Sequence, residues 1–367
     1  MQGTGRAVFR MGAAAMSTEG AVLETGSQVR LGVIGAGWFV SRRHLPDVVN
    51  NKNVVLASLC RRDAGARATM EAHFCLPPES GYDDWRKMVE QAPLDAVLIA
   101  TPNNLHFEQA KAALERGLHV LLEKPMTIES EHARELVKLA KARGLKLAVA
   151  LNPPHWAHCH RAKRALLNEK MGTFESAAIY WTGAAAHLFG RAPRPEKMDG
   201  VVPPTHYRED PEMNGGGYFA DGGPHLVSEL LWVTGIRPKR VAALMDAVPA
   251  DMRIAVSFEM ENGAIATINS IGDSQFEQRR VRNVFGCSNG TVAIIHQEFE
   301  THIQIRGMEA VKFREADLIP IASPINNFID AIQGRAELFS PGEHGADVVE
   351  VVEAVYESAR TGRIVTL

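Results

Sequence analysis

The feature that most narrows the fold is an alternation that begins at Val29. Val29–Ile34 reads Val-Arg-Leu-Gly-Val-Ile, a short strand, and runs straight into Gly35-Ala36-Gly37. A helix follows that should end before Val54. The pattern then repeats: strand 54–59, helix 64–74, strand 94–100, helix 105–116, strand His119–Leu122, helix 129–143 and strand 146–151. Gly117 and Gly144 stand where helix C-caps belong. The strands are apolar on both faces and helices separate them. Such a chain can bury its strands only in a parallel sheet covered on two sides.

After Asn152-Pro153-Pro154 the pattern changes. A helix over 159–168 and a strand over 174–181 precede an irregular, Pro- and Gly-rich stretch, 183–223. A helix is expected from Pro224 to Val233. Five β-like stretches follow, 240–245, 252–260, 264–270, 280–286 and 291–296, with turn signals at Glu261-Asn262-Gly263 and Ser288-Asn289-Gly290. Helices return at 325–332 and 345–359. The second half therefore reads as an antiparallel sheet with helices on one face. At about 150 residues per domain, 367 residues make about two domains. They are expected at 29–152 and 153–367, with 1–28 as a flexible N-terminal extension.

Charge and cysteine content exclude several classes. Forty Lys and Arg stand against 43 Asp and Glu, a net charge of −3, so an overall basic nucleic-acid binder is excluded. The apolar runs are about five residues long, whereas a membrane-spanning helix needs about 20. Cys60, Cys75, Cys159 and Cys287 include no C-x-x-C pair, as in a reduced, cytoplasmic protein without a disulfide framework.

Gly35-Ala36-Gly37 ends a strand and opens a helix, the context of a dinucleotide fingerprint. The first Gly permits the tight turn, and the second lets a pyrophosphate approach the backbone N–H groups at the helix start. The third position, usually Gly or Ala, is Val40. Trp38 and Phe39 open the helix and join Gly35 and Gly37 as candidate cofactor contacts. The second strand ends Cys60-Arg61-Arg62-Asp63. An acidic side chain at its end would bind the 2′-hydroxyl of NAD. Arg61 stands there instead, with Arg62 beside it, and Arg suits the 2′-phosphate of NADP. The cofactor expected is NADP or NAD, with Arg61 favouring NADP.

Oxidising a secondary alcohol requires hydride to leave carbon while a base takes the hydroxyl proton. Lys124 ends a strand, where sites gather in parallel sheets, and its ammonium can polarise a carbinol oxygen. His225 follows Pro224 and is expected in the first turn of its helix, where the positive helix end disfavours imidazolium. Asp221, expected just before that helix, can orient or polarise the ring. His206-Tyr207-Arg208 lies in the irregular segment as a candidate substrate loop, with His206 its candidate contact. The length of 183–217 suggests a lid or an oligomer contact. His155, His158, Cys159 and His160 lack the carboxylate pattern of a metal centre, so no metal is expected.

Three runs taken together carry a resemblance: Ala100-Thr101-Pro102-Asn103-Asn104-Leu105-His106, Gly117 to Glu123-Lys124-Pro125, and Asp221-Gly222-Gly223-Pro224-His225. With Gly35-Ala36-Gly37, and a closing Ser358-Ala-Arg-Thr-Gly-Arg-Ile-Val365, the chain resembles the glucose–fructose oxidoreductase, inositol dehydrogenase and rhizopine-catabolism (Gfo/Idh/MocA) family over about residues 29–365. The resemblance implies an N-terminal Rossmann domain and a C-terminal α+β domain with a large, mostly antiparallel open sheet. It implies an NAD(P)-dependent oxidoreductase acting on a sugar, sugar derivative or cyclitol, with Lys124, Asp221 and His225 catalytic. It puts Thr101, Pro102, Asn103, His106, Glu123 and Lys124 by the cofactor, and His155 and Trp156 with the catalytic trio by the substrate. It also implies a cis Lys124–Pro125 peptide and a homodimer or homotetramer formed through the second sheet. One departure is Ser228, where the family commonly carries Asp three residues after this His. Two other readings stay open: an NAD-dependent glycosidase that oxidises a ring hydroxyl transiently, and a non-catalytic dinucleotide sensor, against which the intact Lys124, Asp221 and His225 speak.

Overall fold

A computed structural model describes residues 27–196, 198–276, 278–295 and 300–367. The N-terminal extension expected over 1–28 lies outside them, apart from its last two residues.

Strands β1 (Val29–Ile34), β2 (Val54–Cys60), β3 (Gly81–Tyr82), β4 (Ala96–Ile99), β5 (His119–Leu122) and β6 (Leu147–Val149) form one sheet in the order β3-β2-β1-β4-β5-β6. Each pairing in it is parallel. The order turns around between β1 and β4, which opens a crevice at their C-terminal ends. Helices α1 (Trp38–Arg43), α2 (Leu45–Asn50), α3 (Ala64–His73), α4 (Trp85–Gln91), α5 (His106–Arg116) and α6 (Ser130–Ala142) make the crossovers. Neither β3 nor α4 is foreseen by the sequence reading. The strand has two residues and the helix two turns, too short for a periodic signal. The strands are buried on both faces. Leu31, Val33 and Leu98 belong to one core cluster, and Ile34, Val97 and Ile99 to another.

Helix α7 (Ala157–Leu166) leads from the first sheet to β7 (Phe174–Thr182). After α8 (Pro211–Asn214) and α9 (Tyr218–Thr234) come β8 (Pro238–Met245), β9 (Arg253–Met260), β10 (Ile265–Ile271), β11 (Arg280–Cys287), β12 (Gly290–Ile295), β13 (Glu300–Ile305) and β14 (Val311–Phe313). The chain ends with α10 (Pro324–Ile332), α11 (Gly342–Thr361) and β15 (Val365–Thr366). The second sheet runs β14-β13-β12-β11-β7-β10-β9-β8-β15 and is antiparallel except where β10 pairs with β7. The Gly263 and Gly290 turns join hairpins β9–β10 and β11–β12, as their sequences predict. Burial alternates along β9 and along β11 up to Phe285, so one face is covered and the other is turned outward. Helices α7, α9 and α11 supply the cover. Helix α10 returns to the first sheet, where Ile325, Phe328 and Ile329 join the cluster of Leu31 and Leu98. No helix among the described residues is long and apolar enough to cross a membrane.

One element corrects the sequence reading. Helix α9 begins at Tyr218, six residues before Pro224, so Pro224 lies inside it. Its first N–H groups are met by distant partners. The Tyr218 N–H donates to the Asp251 carbonyl (2.8 Å), that of Phe219 to Asp251 Oδ2 (2.9 Å) and that of Ala220 to Tyr356 Oη (3.0 Å). Local sequence shows only Gly222-Gly223-Pro224, a breaker signal. Asp221 is therefore in the first turn of the helix, and His225 is a turn further in.

Candidate active site

The turn after β1 is built as its glycines require. Gly35 has φ +85°, and a Cβ there would lie 2.6 Å from the Ala100 carbonyl oxygen. A Cβ at Gly37 would lie 3.3 Å from Arg61 Nη1. A crevice of about 800 Å³ opens over this turn. Gly35, Gly37, Trp38, Phe39, Arg61, Arg62, Thr101, Pro102, Asn103, Glu123, Lys124 and His206 all line it. The cradle and the crevice suit an extended dinucleotide, with its pyrophosphate over Gly35 and Gly37.

At the ribose end, Arg61 arches back over the turn and donates from Nη1 to the Ala36 carbonyl at 3.0 Å. Its Nε is buried without a hydrogen-bond partner among the described residues. Asp63 caps α3 by accepting the Ala66 N–H (2.7 Å), and Asp84 caps α4 by accepting that of Arg86 (2.9 Å). Trp38 reaches across to the second half of the chain, its Nε1 donating to the Asp199 carbonyl.

The strand ends β4 and β5 form the inner wall. Thr101 Oγ1 bonds Gln109 Oε1 (2.7 Å), and Asn103 turns its amide to the Asn214 carbonyl (2.8 Å), tying this wall to α8. The Lys124–Pro125 peptide is cis. His106 does not reach the crevice. It is fully buried, with Nδ1 2.8 Å from the Pro125 carbonyl and Nε2 3.1 Å from that of Thr101, so it braces the wall from behind. Only one of these contacts is a hydrogen bond in the neutral ring, and burial holds the ring pKa down. Glu123 Oε1 meets His44 Nε2 at 2.6 Å, and Oε2 accepts the Lys124 N–H at 3.0 Å. Burial alone would raise the Glu123 pKa, but His44 and Lys124 together hold it below the usual range.

Lys124 Nζ reaches the first turn of α9. It donates to the Asp221 carbonyl (2.7 Å) and to Asp221 Oδ1 (2.9 Å), leaving one of its three N–H groups for a ligand. Arg208 Nε lies 3.1 Å from the same carboxylate oxygen. Burial works against the Asp221 charge, yet Arg208 and Lys124 hold the carboxyl well below the ordinary range. His225 follows one turn along α9. Burial, then Lys124, push its pKa down to about 3. Neutral imidazole is thus secured by burial and a neighbouring cation, since the ring lies beyond the first turn where the helix end acts. Its Nδ1 accepts the Asn152 N–H at a long 3.4 Å. Trp156 stands 6.5 Å from His225 and stacks on Trp181 at 6.5 Å, forming an aromatic floor.

The remaining sequence candidates scatter. His155 turns Nδ1 to the Ala322 carbonyl (2.9 Å) and packs near Phe339, away from the crevice. His160 bonds the Pro154 carbonyl (2.8 Å). Among the described residues no three His, Cys, Asp or Glu side chains are grouped to hold a metal. His206 is exposed at the crevice rim and pairs with Glu209 (2.5 Å). Its neighbours Tyr207 and Arg208 go inward instead. Burial pushes the Tyr207 phenol pKa up, and Asp221 keeps the buried Arg208 charged. The tripeptide was visible in sequence, but nothing local says which of the three turns inward. His44 and Trp181 had no sequence signal, since a strand Trp and a helix-end His look like ordinary core.

Residues 29–151 match the model described as oxidoreductase family, NAD-binding Rossmann fold, and residues 161–293 match the GFO/IDH/MocA C-terminal domain. The chain is 25% identical to D-glucoside 3-dehydrogenase of Escherichia coli (strain K12), over 94% of this chain and 99% of that one. It is 28% identical to UDP-N-acetylglucosamine 3-dehydrogenase of Acidithiobacillus ferrooxidans over 70% of this chain and 76% of the other. Among solved structures, levoglucosan dehydrogenase in complex with NADH superposes with a TM-score of 0.79 at 18% identity, covering 93% of this chain and 99% of that one. An inositol dehydrogenase homolog from Azotobacter vinelandii, with NADH and myo-inositol, superposes with a TM-score of 0.76 at 19% identity, covering 94% and 98%.

Proposed function

This chain belongs to the Gfo/Idh/MocA oxidoreductase family, and from that premise we propose that it moves a hydride between a secondary hydroxyl of a sugar, sugar derivative or cyclitol and a nicotinamide dinucleotide. The observation that carries the reading is the Lys124–Asp221 pair on the crevice wall, with neutral His225 one helical turn away. A dinucleotide held by the Gly35–Gly37 turn would supply the hydride acceptor or donor.

The chain's own residues handle the oxygen and its proton. Lys124, fixed by two bonds to Asp221, directs its remaining N–H to the carbinol oxygen and stabilises alkoxide charge. Asp221, held ionised by two cations, keeps the ammonium in place. His225 takes the hydroxyl proton at the ring nitrogen opposite Nδ1. This needs the Nδ1–H tautomer, which replaces the long bond from Asn152 by two facing N–H donors at a cost of about 1–3 kcal/mol. Glu123 fixes the backbone N–H of Lys124 and so the start of its side chain.

For the cofactor we favour NADP. Arg61 and Arg62 face the crevice end, Asp63 and Asp84 are committed as helix caps, and the partnerless Arg61 Nε suits an anionic neighbour.

The test is nicotinamide absorbance with a panel of sugars, glycosides and cyclitols, NAD⁺ and NADP⁺ in parallel. Reduced cofactor beyond one equivalent is the expected result. Aglycone release without accumulation would replace the reading by transient ring oxidation, and tight cofactor binding with no chemistry would replace it by sensing. Lys124→Met should lower kcat/KM by about 10²–10⁴.

A further inference from the structure

Arg279 differs from three other arginines in the second half of the chain. Arg208 faces Asp221, Arg194 faces Glu209 and Arg253 faces Asp273, each within ion-pair distance. Arg279 forms no ion pair and donates no hydrogen bond among the described residues. Its guanidinium carbon instead lies over the Trp181 ring, 4.6 Å from the centroid. Trp181 stacks on Trp156, which stands beside His225. Arg279 precedes Arg280, which pairs with Thr182 at the end of β7, so strand register sets it at this edge of the floor. Its charge is close enough to His225 and Tyr218 to act on both. The side chain is exposed to solvent.

A guanidinium has five N–H donors, and a ring face satisfies none of them. Held over Trp181 with no carboxylate against it among the described residues, the guanidinium can offer its N–H groups to an oxyanion. We propose that Arg279 is a specificity residue that receives an anionic substituent, a carboxylate or phosphate, carried by the sugar whose hydroxyl meets Lys124 and His225. This rests on the dehydrogenase reading for the position of the sugar, but binding tests it without turnover.

The test is calorimetric binding of D-glucuronate, D-glucose 6-phosphate and D-glucose to protein saturated with NADPH, for wild type, Arg279→Gln and Arg279→Lys. Saturation with cofactor removes the crevice's own phosphate sites from the measurement. At least one anionic sugar should bind about ten- to a hundred-fold more tightly than glucose, and the advantage should shrink with added salt. Arg279→Gln should abolish the advantage while keeping cofactor affinity, which shows that it has folded. Arg279→Lys should keep a part of it. Whichever anion wins separates carboxylate from phosphate recognition. If neither anion outbinds glucose, or if the advantage survives in Arg279→Gln, the assignment is wrong. Turnover of neutral sugars without that advantage would uphold the dehydrogenase and overturn the anion site alone. Tight anionic binding without hydride transfer would do the reverse.

Discussion

Glu229→Gln should make the folded protein less sensitive to alkali. Glu229 lies on α9 one turn beyond His225 and is fully buried. Its Oε1 accepts from Asn283 Nδ2 at 2.6 Å, and its Oε2 is buried with no partner among the described residues. Burial pushes its pKa from 4.5 up to about 7. Below pH 4.5 the group is protonated in both the folded and unfolded chains and has no effect. Between 4.5 and about 7 the unfolded chain gives up this proton while the folded one keeps it, so stability falls as pH rises. Above 7 the loss is complete, about 3 kcal/mol at about 1.4 kcal/mol per pH unit. Gln keeps an acceptor for Asn283 and never ionises. Whatever its amide costs elsewhere is independent of pH. Urea unfolding at pH 5 and pH 8.5 measures the effect, because other carboxylates cancel between the two proteins. The wild type should lose about 2–3 kcal/mol more than the variant over this span. Activity at pH 7 should be unaltered. Parallel pH dependence of the two proteins would refute the reasoning, since Glu229 would then ionise in place at no cost.

Gly35→Ala should abolish dinucleotide binding and destabilise the first domain by about 2 kcal/mol or more, because φ is +85° and the new Cβ meets the Ala100 carbonyl at 2.6 Å; wild-type affinity by fluorescence titration would contradict this. With His225 held down to about pH 3, kcat/KM for oxidation should show no limb near pH 6.5. A limb there that vanishes in His225→Gln would show that the ring titrates normally. The same depressed pKa means that the unfolded chain takes up this proton first, so His225 costs stability as pH falls below 6.5. Arg61→Ala should weaken NADP⁺ by about tenfold or more and leave NAD⁺ unchanged; equal weakening of both would assign Arg61 to the turn alone.

The first sheet, β3 apart, was legible because its signals are local. A strand apolar on both faces, a glycine that must take positive φ and a helix C-cap can be read within a dozen residues, and β1 and β5 fall where the sequence places them. The hairpins at Gly263 and Gly290 were legible for the same reason. The start of α9 was not, because its first N–H groups are met by Asp251 and Tyr356, 32 and 136 residues from their partners Phe219 and Ala220. That shift moved His225 out of the first turn and changed the cause of its neutrality from a helix end to burial beside Lys124. His106 illustrates the same limit. Its motif places it near the cofactor loop, but only packing decides that its nitrogens face the Pro125 and Thr101 carbonyls.

By itself the sequence determined the parallel sheet and the glycine turn, and it singled out Lys124, Asp221 and His225 as candidates, since backbone conformation and side-chain chemistry belong to single positions. Tertiary structure alone decided which charges meet: Arg208 on Asp221, His44 on Glu123, and Arg279 over Trp181 with no carboxylate against it among the described residues. Electrostatic partnership depends on distance in space and on exclusion of water, and the linear chain records neither.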